Sequence, residues 1–368
     1  KLGNNRNRFA LDGIEIHHEA AFATLLRTRA AELGPDAVIA SDNRFSPALV
    51  KMTALETGAH YRSQTSPITR MKAIKNAVEM AGMRAAARRD SLAWVDLLHW
   101  LDSQVVARAT AGNPITELDV ETELTKRRQQ WDAYVSPSFR AIAGSGSNAA
   151  MCHYNAPMTG GAALTTDKLF LLDAGAQFLD GTTDTTRTIC FGEPDPEWRR
   201  CYTLVLKGHI KLCTISFPMG TKGYQLDPFA REALWSAGLD YDHGTGHGVG
   251  HFLSVHEHPQ RIGKEPLNEL LHPGMTITNE PGYYRAGEFG IRIENLCEII
   301  TDEKDFMQLR PMAFIPLARG LIDCNLLTAG EIAWVDSYHA ATKACLWDDI
   351  ADPAVRDWLD RATAPLIV

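Results

Sequence analysis

No apolar run in this 368-residue chain approaches the roughly 18 to 20 residues needed to cross a bilayer, so nothing in it reads as a membrane span. Basic charge is in deficit as well: 37 lysines and arginines stand against 45 aspartates and glutamates, a formal net charge of −8. A phosphate-binding face ordinarily leaves a basic surplus, so nucleic acid is excluded as the expected partner. The short clusters Arg88-Arg89 and Lys126-Arg127-Arg128 lie inside helical patterns and read as solvated faces. CxxC pairs are absent. The seven cysteines (152, 190, 201, 213, 297, 324 and 345) are odd in number and scattered, which argues against a disulfide framework and for reduced thiols in the cytoplasm. The chain begins at Lys1 with neither a methionine nor a signal-peptide pattern, which leaves a natural short start and a truncated one both open. What is present is 45% hydrophobic residues, enough for one large core or two to three domains of a globular protein.

Residues 14–33 carry helical periodicity, 36–41 (DAVIAS) suggest a strand and 46–58 another helix, together a fragment of an α/β unit. The stretch SQTSPITR (63–70) reads as a linker. A long helix is predicted from Met71 to about Arg89, with Asp90 and Ser91 capping the next one. From about 132 onward the texture is that of short strands and turns. Two segments, 115–131 and 225–238, both place Leu-Asp before a helical pattern and precede an acidic residue by nearly the same distance. This is an echo fit for two similar halves. Residues 321–368 show two helical patterns, in which Trp334, Trp347 and Trp358 read as core or interface anchors.

Two acidic hairpins stand out. In LFLLDAGAQFLDGTTDTTRTICF (169–191) a turn at Leu179-Asp180-Gly181 sets Asp173 and Asp184 on adjacent strands, close enough to share a cation; a turn residue and a strand-end cap are the alternative. In MTITNEPGYYRAGEFGIRIENL (275–296) a turn centred on Gly287 sets Glu280 opposite Glu294. Ile291 and Ile293 then face a core while Arg292 and Glu294 face a site. Between the hairpins, HGTGHGVGHFLSVHEHP (243–259) packs five of the thirteen histidines among glycines that disfavour a helix, so a strand and loop are expected. Four carboxylates plus imidazole, without thiolate, make a donor set suited to a pair of divalent ions such as Mn²⁺, Co²⁺ or Zn²⁺.

In this order DAGAQFLDGTTDTTRT, HGTGHGVGHFLSVHE, TNEPGYY and FGIRIEN resemble the metallopeptidases of the pita-bread fold, most closely the Xaa-Pro aminopeptidases of the aminopeptidase P group, from about Ser66 to Ile350. The resemblance implies an α/β (α+β) fold: a pita-bread catalytic domain (66–320) with pseudo-twofold related halves, preceded by a partial α/β N-terminal domain (1–65) and followed by a helical extension (321–368). It implies that Asp173, Asp184, His247, Glu280 and Glu294 bind two divalent ions, with Mn²⁺ expected and Zn²⁺ or Co²⁺ as alternatives. His256, His153 and His243 are implied, with Glu280, as catalytic groups. Arg292 and Tyr284 are implied to orient the ligating carboxylates. His251 and His258 have no counterpart and read as surface or supporting residues. The activity implied is hydrolysis of the N-terminal Xaa-Pro bond of peptides by water activated between the two ions, Glu280 moving the proton. Prolidase-type cleavage of Xaa-Pro dipeptides is the nearest alternative. A non-catalytic binding protein of the same fold is disfavoured by the intact ligand set. A cytoplasmic homodimer is the expected assembly, with peptides carrying proline in second position as its partners. Only about 68 residues precede the catalytic part, fewer than in similar members, which leaves substrate-length limits and assembly open.

Overall fold

The computed structural model describes residues 15–42 and 46–366, in two units that divide between Arg70 and Met71. In the first, α1 (Phe22–Leu33), β1 (Val38–Ser41), α2 (Ala48–Thr57) and β2 (His60–Ser63) follow one another. The strands pair in parallel, Val38 opposite His60, and α2 supplies the crossover that parallel pairing requires. A small alanine core (Ala37, Ala54, Ala59) lies between them. Helix α1 is shorter than its 14–33 periodicity, a 3₁₀ turn over Glu19–Ala21 preceding it; Ile14 lies outside the described residues. The stretch read as a linker is helical from Pro67 onward, as α3 (Pro67–Ala73).

In the second unit α4 (Ala77–Thr110) opens on a capping box, with the Asn76 side chain on the backbone of Val78 and Glu79, and the Glu79 side chain on Asn76 N–H. It runs 34 residues without the expected break at Asp90. Asp90 caps nothing: its buried carboxylate accepts Nε (2.7 Å) and Nη2 (3.1 Å) of Arg128 and the Thr183 hydroxyl (2.6 Å). Ser91 donates to the Ala87 carbonyl a turn back. A polar pair in sequence looks like a cap until burial turns its side chains to distant partners. The Asp90→Ala change strands a buried guanidinium and is expected to cost about 3–5 kcal/mol, read as a lowered urea midpoint.

The remaining elements are α5 (Glu117–Arg128), β3 (Tyr134–Pro137), β4 (Ile142–Ser145), β5 (Leu169–Asp173), β6 (Ala176–Phe178), β7 (Gly181–Thr182), β8 (Thr186–Cys190), α6 (Pro196–Thr214), β9 (Phe217–Pro218) and α7 (Asp227–Ser236). Then follow β10 (Gly246–Gly248), β11 (Glu257–Ile262), β12 (Thr276–Asn279), β13 (Gly282–Arg285), β14 (Phe289–Arg292), β15 (Asn295–Thr301), β16 (Phe306–Pro311), α8 (Ala329–Leu346) and α9 (Pro353–Ala362). Helix α6, capped by Asp195, corrects the strand-and-turn reading of the region after 132: its TLVLKGHIK run is as compatible with a strand as with a helix until its buried face is known.

Antiparallel strands form sheets ordered β4-β5-β8, β3-β6-β7 and β13-β14, and a six-stranded sheet ordered β11-β10-β12-β15-β16-β9. Trp94, Leu97 and Leu101 of α4 and Val120 and Leu124 of α5 pack on Phe170 and Leu172 of β5. Leu212 of α6 and Ala230 of α7 pack on Ile277, Cys297 and Ile299 of the large sheet. Each half is thus a long helix, a shorter helix and antiparallel strands. The Leu-Asp echo is shifted by two residues: Asp119 belongs to a capping box with Thr116, and the acid that opens α5 as Asp227 opens α7 is Glu117. The Trp334 ring stacks on Tyr338, and the Trp358 indole donates to Asp102.

Candidate metal centre

In the first hairpin β5 and β8 pair with Asp173 opposite Thr186, and β6 and β7 close the turn at Leu179-Asp180. Asp184 is not on the second strand as expected; it lies in the irregular link 183–185, where the chain must bring its carboxylate inward. In the second hairpin the β12–β15 ladder (Asn279 opposite Asn295) and the β13–β14 ladder (Gly282 opposite Arg292) keep one register across their gap. Glu280 therefore stands opposite Glu294, with Gly287 (φ +77°) at the tip. Ile291 and Ile293 are fully buried in the core while Arg292 and Glu294 line a cleft, the alternation the sequence predicts. His247 sits in β10 between β11 and β12. The neighbouring glycines are required there: a Cβ on Gly246 would meet the Thr278 carbonyl at 2.0 Å.

These elements converge on one cleft of about 650 Å³, lined by all five expected ligands together with His153, His243, His256 and Arg292. Potential ligand atoms of Asp173, Asp184 and Glu294 lie within 4.8 Å of one another, as do those of His247, Glu280 and Glu294. Glu294 is common to both sets, so two adjacent cations bound there would share it. His256 forms a third set with Asp184 and His247, which puts it within ligand reach as well. His247 Nε2 is 3.4 Å from both Asp184 Oδ2 and Glu280 Oε1. Its Nδ1 donates to the Gly248 carbonyl (3.0 Å), so Nε2 is the nitrogen that would serve as a ligand once its proton is given up.

Supporting contacts fix the acids. Arg292 donates from Nη2 to Asp173 Oδ2 (2.6 Å) and from Nη1 to the Tyr284 hydroxyl (2.6 Å), and the Thr186 hydroxyl donates to Glu294 Oε2 (2.6 Å). Tyr284 touches no carboxylate of the cluster; it donates to His243 Nε2 (2.8 Å) and reaches Asp173 only through Arg292. Burial, then the neighbouring acids, hold the Glu294 carboxyl well above its usual range. Burial pushes Asp184 up to about 6 and Glu280 up to about 7. Burial opposes charge on His247, yet the Asp184 hydrogen bond and the Glu280 charge prevail and raise it to about 9. Burial and the Arg292 charge lower His243 to about 3, and burial and the His247 charge lower His256 to about 4. Oδ1 of Asp173 is buried and has no hydrogen-bond partner among the described residues. Crowded acids, proton-hungry carboxyls and an orphaned oxygen are what divalent cations would satisfy, so the residues fit a two-cation site.

His258, which the sequence left without a counterpart, lines the same cleft, as do Cys152, Arg140 and Arg261. No motif marks these positions. The exception is His258, which lies inside the histidine-rich stretch, with Arg261 just beyond it.

The description of metallopeptidase family M24 matches residues 81–301, and that of the C-terminal region of peptidase M24 matches 305–366. A probable Xaa-Pro aminopeptidase P of Laccaria bicolor is 41% identical over 364 residues, covering 95% of this chain and 55% of that protein. Aminopeptidase P1 of Lotus japonicus is 42% identical over 328 residues, covering 82% and 50%. Among solved structures, the X-prolyl aminopeptidase of Caenorhabditis elegans, described as a cytosolic enzyme with a di-nuclear active site, matches with a TM-score of 0.85 at 34% identity. That match covers 94% of this chain and 56% of the other. An Xaa-Pro dipeptidase from Bacillus anthracis matches with a TM-score of 0.67 at 25% identity, over 82% and 79%. The chain spans about half the length of the curated relatives it matches.

Proposed function

The chain belongs to metallopeptidase family M24, and from that premise we propose that it removes the N-terminal residue from peptides whose second residue is proline. Its paired halves form the pita-bread fold of that family. The observation that carries the reading is the convergence of Asp173, Asp184, His247, Glu280 and Glu294 on one cleft, with Asp173 Oδ1 left unpartnered. These five residues would hold two divalent cations, and the oxygen-rich, thiolate-free donor set supports Mn²⁺. Cations bound there would bring the pKa of water towards neutrality and so supply a nucleophile for an amide carbon.

The chain's own groups do the rest. Asp173 is fixed by Arg292 and Glu294 by Thr186 at 2.6 Å each, whereas Glu280, among the described residues, has longer contacts, with the Thr278 hydroxyl (3.2 Å) and His247 Nε2 (3.4 Å), and faces the cleft. Glu280 is therefore the acid free to take a proton from water and hand it to the leaving proline nitrogen, a nitrogen with no N–H of its own in the peptide. His256, neutral at pH 7, offers a hydrogen bond to the substrate carbonyl and its developing negative charge, while His243, whose ring nitrogens are engaged by the Gly244 carbonyl (2.8 Å) and the Tyr284 hydroxyl (2.8 Å), borders the substrate space. His153, exposed on the cleft wall, holds the peptide.

We place the protein in the cytoplasm, in line with the cytosolic relative. Among the described residues no helix is long and apolar enough to cross a membrane. The proposal includes a homodimer, for which the half-exposed Trp235 on α7 is a suitable anchor. With Mn²⁺ added, an Xaa-Pro-Xaa tripeptide is expected to lose its first residue, followed by chromatographic detection of the freed amino acid. Cleavage of an Xaa-Pro dipeptide alone moves the reading to a prolidase. No cleavage of either despite two bound ions leaves the binding-protein alternative.

A further inference from the structure

We infer that Glu117 and Asp227 are a matched pair of positioning residues, each holding the loop that presents one cleft histidine: Glu117 the strap bearing His153, Asp227 the segment bearing His243. For its kinetic readout the inference rests on the proposed peptidase activity. Neither acid lines the cleft, so neither touches substrate.

Each opens the second helix of its half, α5 or α7, where the helix dipole favours a buried anion. Glu117 is fully buried and uses both oxygens twice. Oε1 accepts Ser145 N–H (2.7 Å) and Asn148 Nδ2 (2.9 Å); Oε2 accepts the Tyr154 hydroxyl (2.8 Å) and Ala162 N–H (2.9 Å). One carboxylate thus closes both ends of the strap 145–162, and His153 lies between its attachment points. The helix backbone seals the contact, with Glu117 N–H on the Ala162 carbonyl (3.0 Å) and Leu118 N–H on the Gly160 carbonyl (3.1 Å). Gly161, at φ +76°, admits the approach, since a Cβ there would meet Glu117 Oε2 at 2.4 Å. An amide in place of the carboxylate presents an NH₂ group to two donors of the strap and cannot close it.

The second half solves the same problem through an intermediary. Asp227 accepts the Thr245 hydroxyl and Arg231 Nε (2.7 Å). Fully buried Arg231 then donates to the carbonyls of Tyr241 and His243 (3.0 Å for the latter) and lies 3.7 Å over the Tyr241 ring. The segment 241–245 is held from behind, and His243 projects from it to Tyr284. The echo of the two halves is therefore functional as well as topological: one acid at the same place in each half sets one histidine of the cleft.

The test uses the full chain with Mn²⁺ and an Xaa-Pro-Xaa tripeptide, comparing Glu117→Gln, His153→Ala and the double variant. Glu117→Gln is expected to raise KM about tenfold, with kcat within about threefold and manganese stoichiometry unchanged, because the strap carries no ligand. In the His153→Ala background the same change is expected to add nothing, the signature of an effect transmitted through that histidine. Multiplied effects in the double variant, or a loss of bound manganese, overturn the inference. Tyr154→Phe removes a single donor and guards against a misfolded Glu117 variant; a KM rise of about threefold is expected, again absent without His153. A readout independent of turnover is the imidazole NMR signal of the metal-free protein. Tyr154→Phe is expected to shift His153 and not His243, and Asp227→Asn the reverse; silence or crossed effects overturn the pairing. An inactive wild type would sink the peptidase reading, while the NMR result would still decide the clamps.

Discussion

Glu280→Gln is expected to lower kcat on an Xaa-Pro-Xaa tripeptide at least about a thousandfold, combining loss of a proton carrier with loss of one cation ligand. The change is isosteric; among the described residues the side chain lies 3.4 Å from His247 Nε2 and accepts the Thr278 hydroxyl (3.2 Å). Glutamine keeps an oxygen for that contact, so the fold has no reason to fail. Sign and stability agree: burial raises the Glu280 carboxyl to about 7, so its ionisation above that pH works against the metal-free fold. The metal-free variant should consequently melt no lower than wild type at pH 8. A melting curve run beside the steady-state assay separates lost chemistry from lost structure. Activity retained within tenfold would remove Glu280 from the proton-transfer role.

The second hairpin was the most legible part of the site because its register depends on local facts: a glycine midpoint at 287, strict alternation of Ile291 and Ile293 with Arg292 and Glu294, and a two-residue side-chain period that permits no slip. The first hairpin was legible in outline only. Its strands pair as expected, but Asp184 falls in an irregular link whose path depends on contacts such as Thr183 with Asp90, 93 positions away. The same partnership explains the missed continuity of α4, where Asp90 and Ser91 satisfy a cap pattern and the deciding partner, Arg128, lies on another helix. Glu117 was invisible for a related reason. The Leu-Asp frame drew the eye to Asp119, whose role is local capping, while the buried acid two residues earlier serves a strap that begins 28 positions later. Local periodicity carries strand register; long-range polar burial does not announce itself in a single sequence.

Manganese affinity is expected to climb steeply with pH, by between ten and about a hundredfold per unit from pH 6 to 7. To bind cations the centre must give up its protons: burial places one on Asp184 below about 6 and one on Glu280 below about 7, and the neighbouring acids, against burial, place one on His247 below about 9. In each case the folded-state pKa is raised. The stability that each protonated group contributes to the metal-free fold is complete below its unfolded pKa and is lost as pH rises through the folded one. For the two carboxyls that loss falls between about pH 4 and 7, and for His247 between about 6.5 and 9. All three signs agree, so the melting temperature of the metal-free protein should fall from pH 5 to pH 9. Saturating Mn²⁺ supplies the positive charge that the departing protons supplied, so it should flatten that decline and raise the melting temperature far more at pH 8 than at pH 5.5. Paired melting curves with chelator and with Mn²⁺ across this range make the measurement, and calorimetric titration in buffers of different ionisation enthalpy counts the protons released. A gain independent of pH would mean that cations bind away from these residues, and the shared position of Glu294 would then belong to an internal proton network instead.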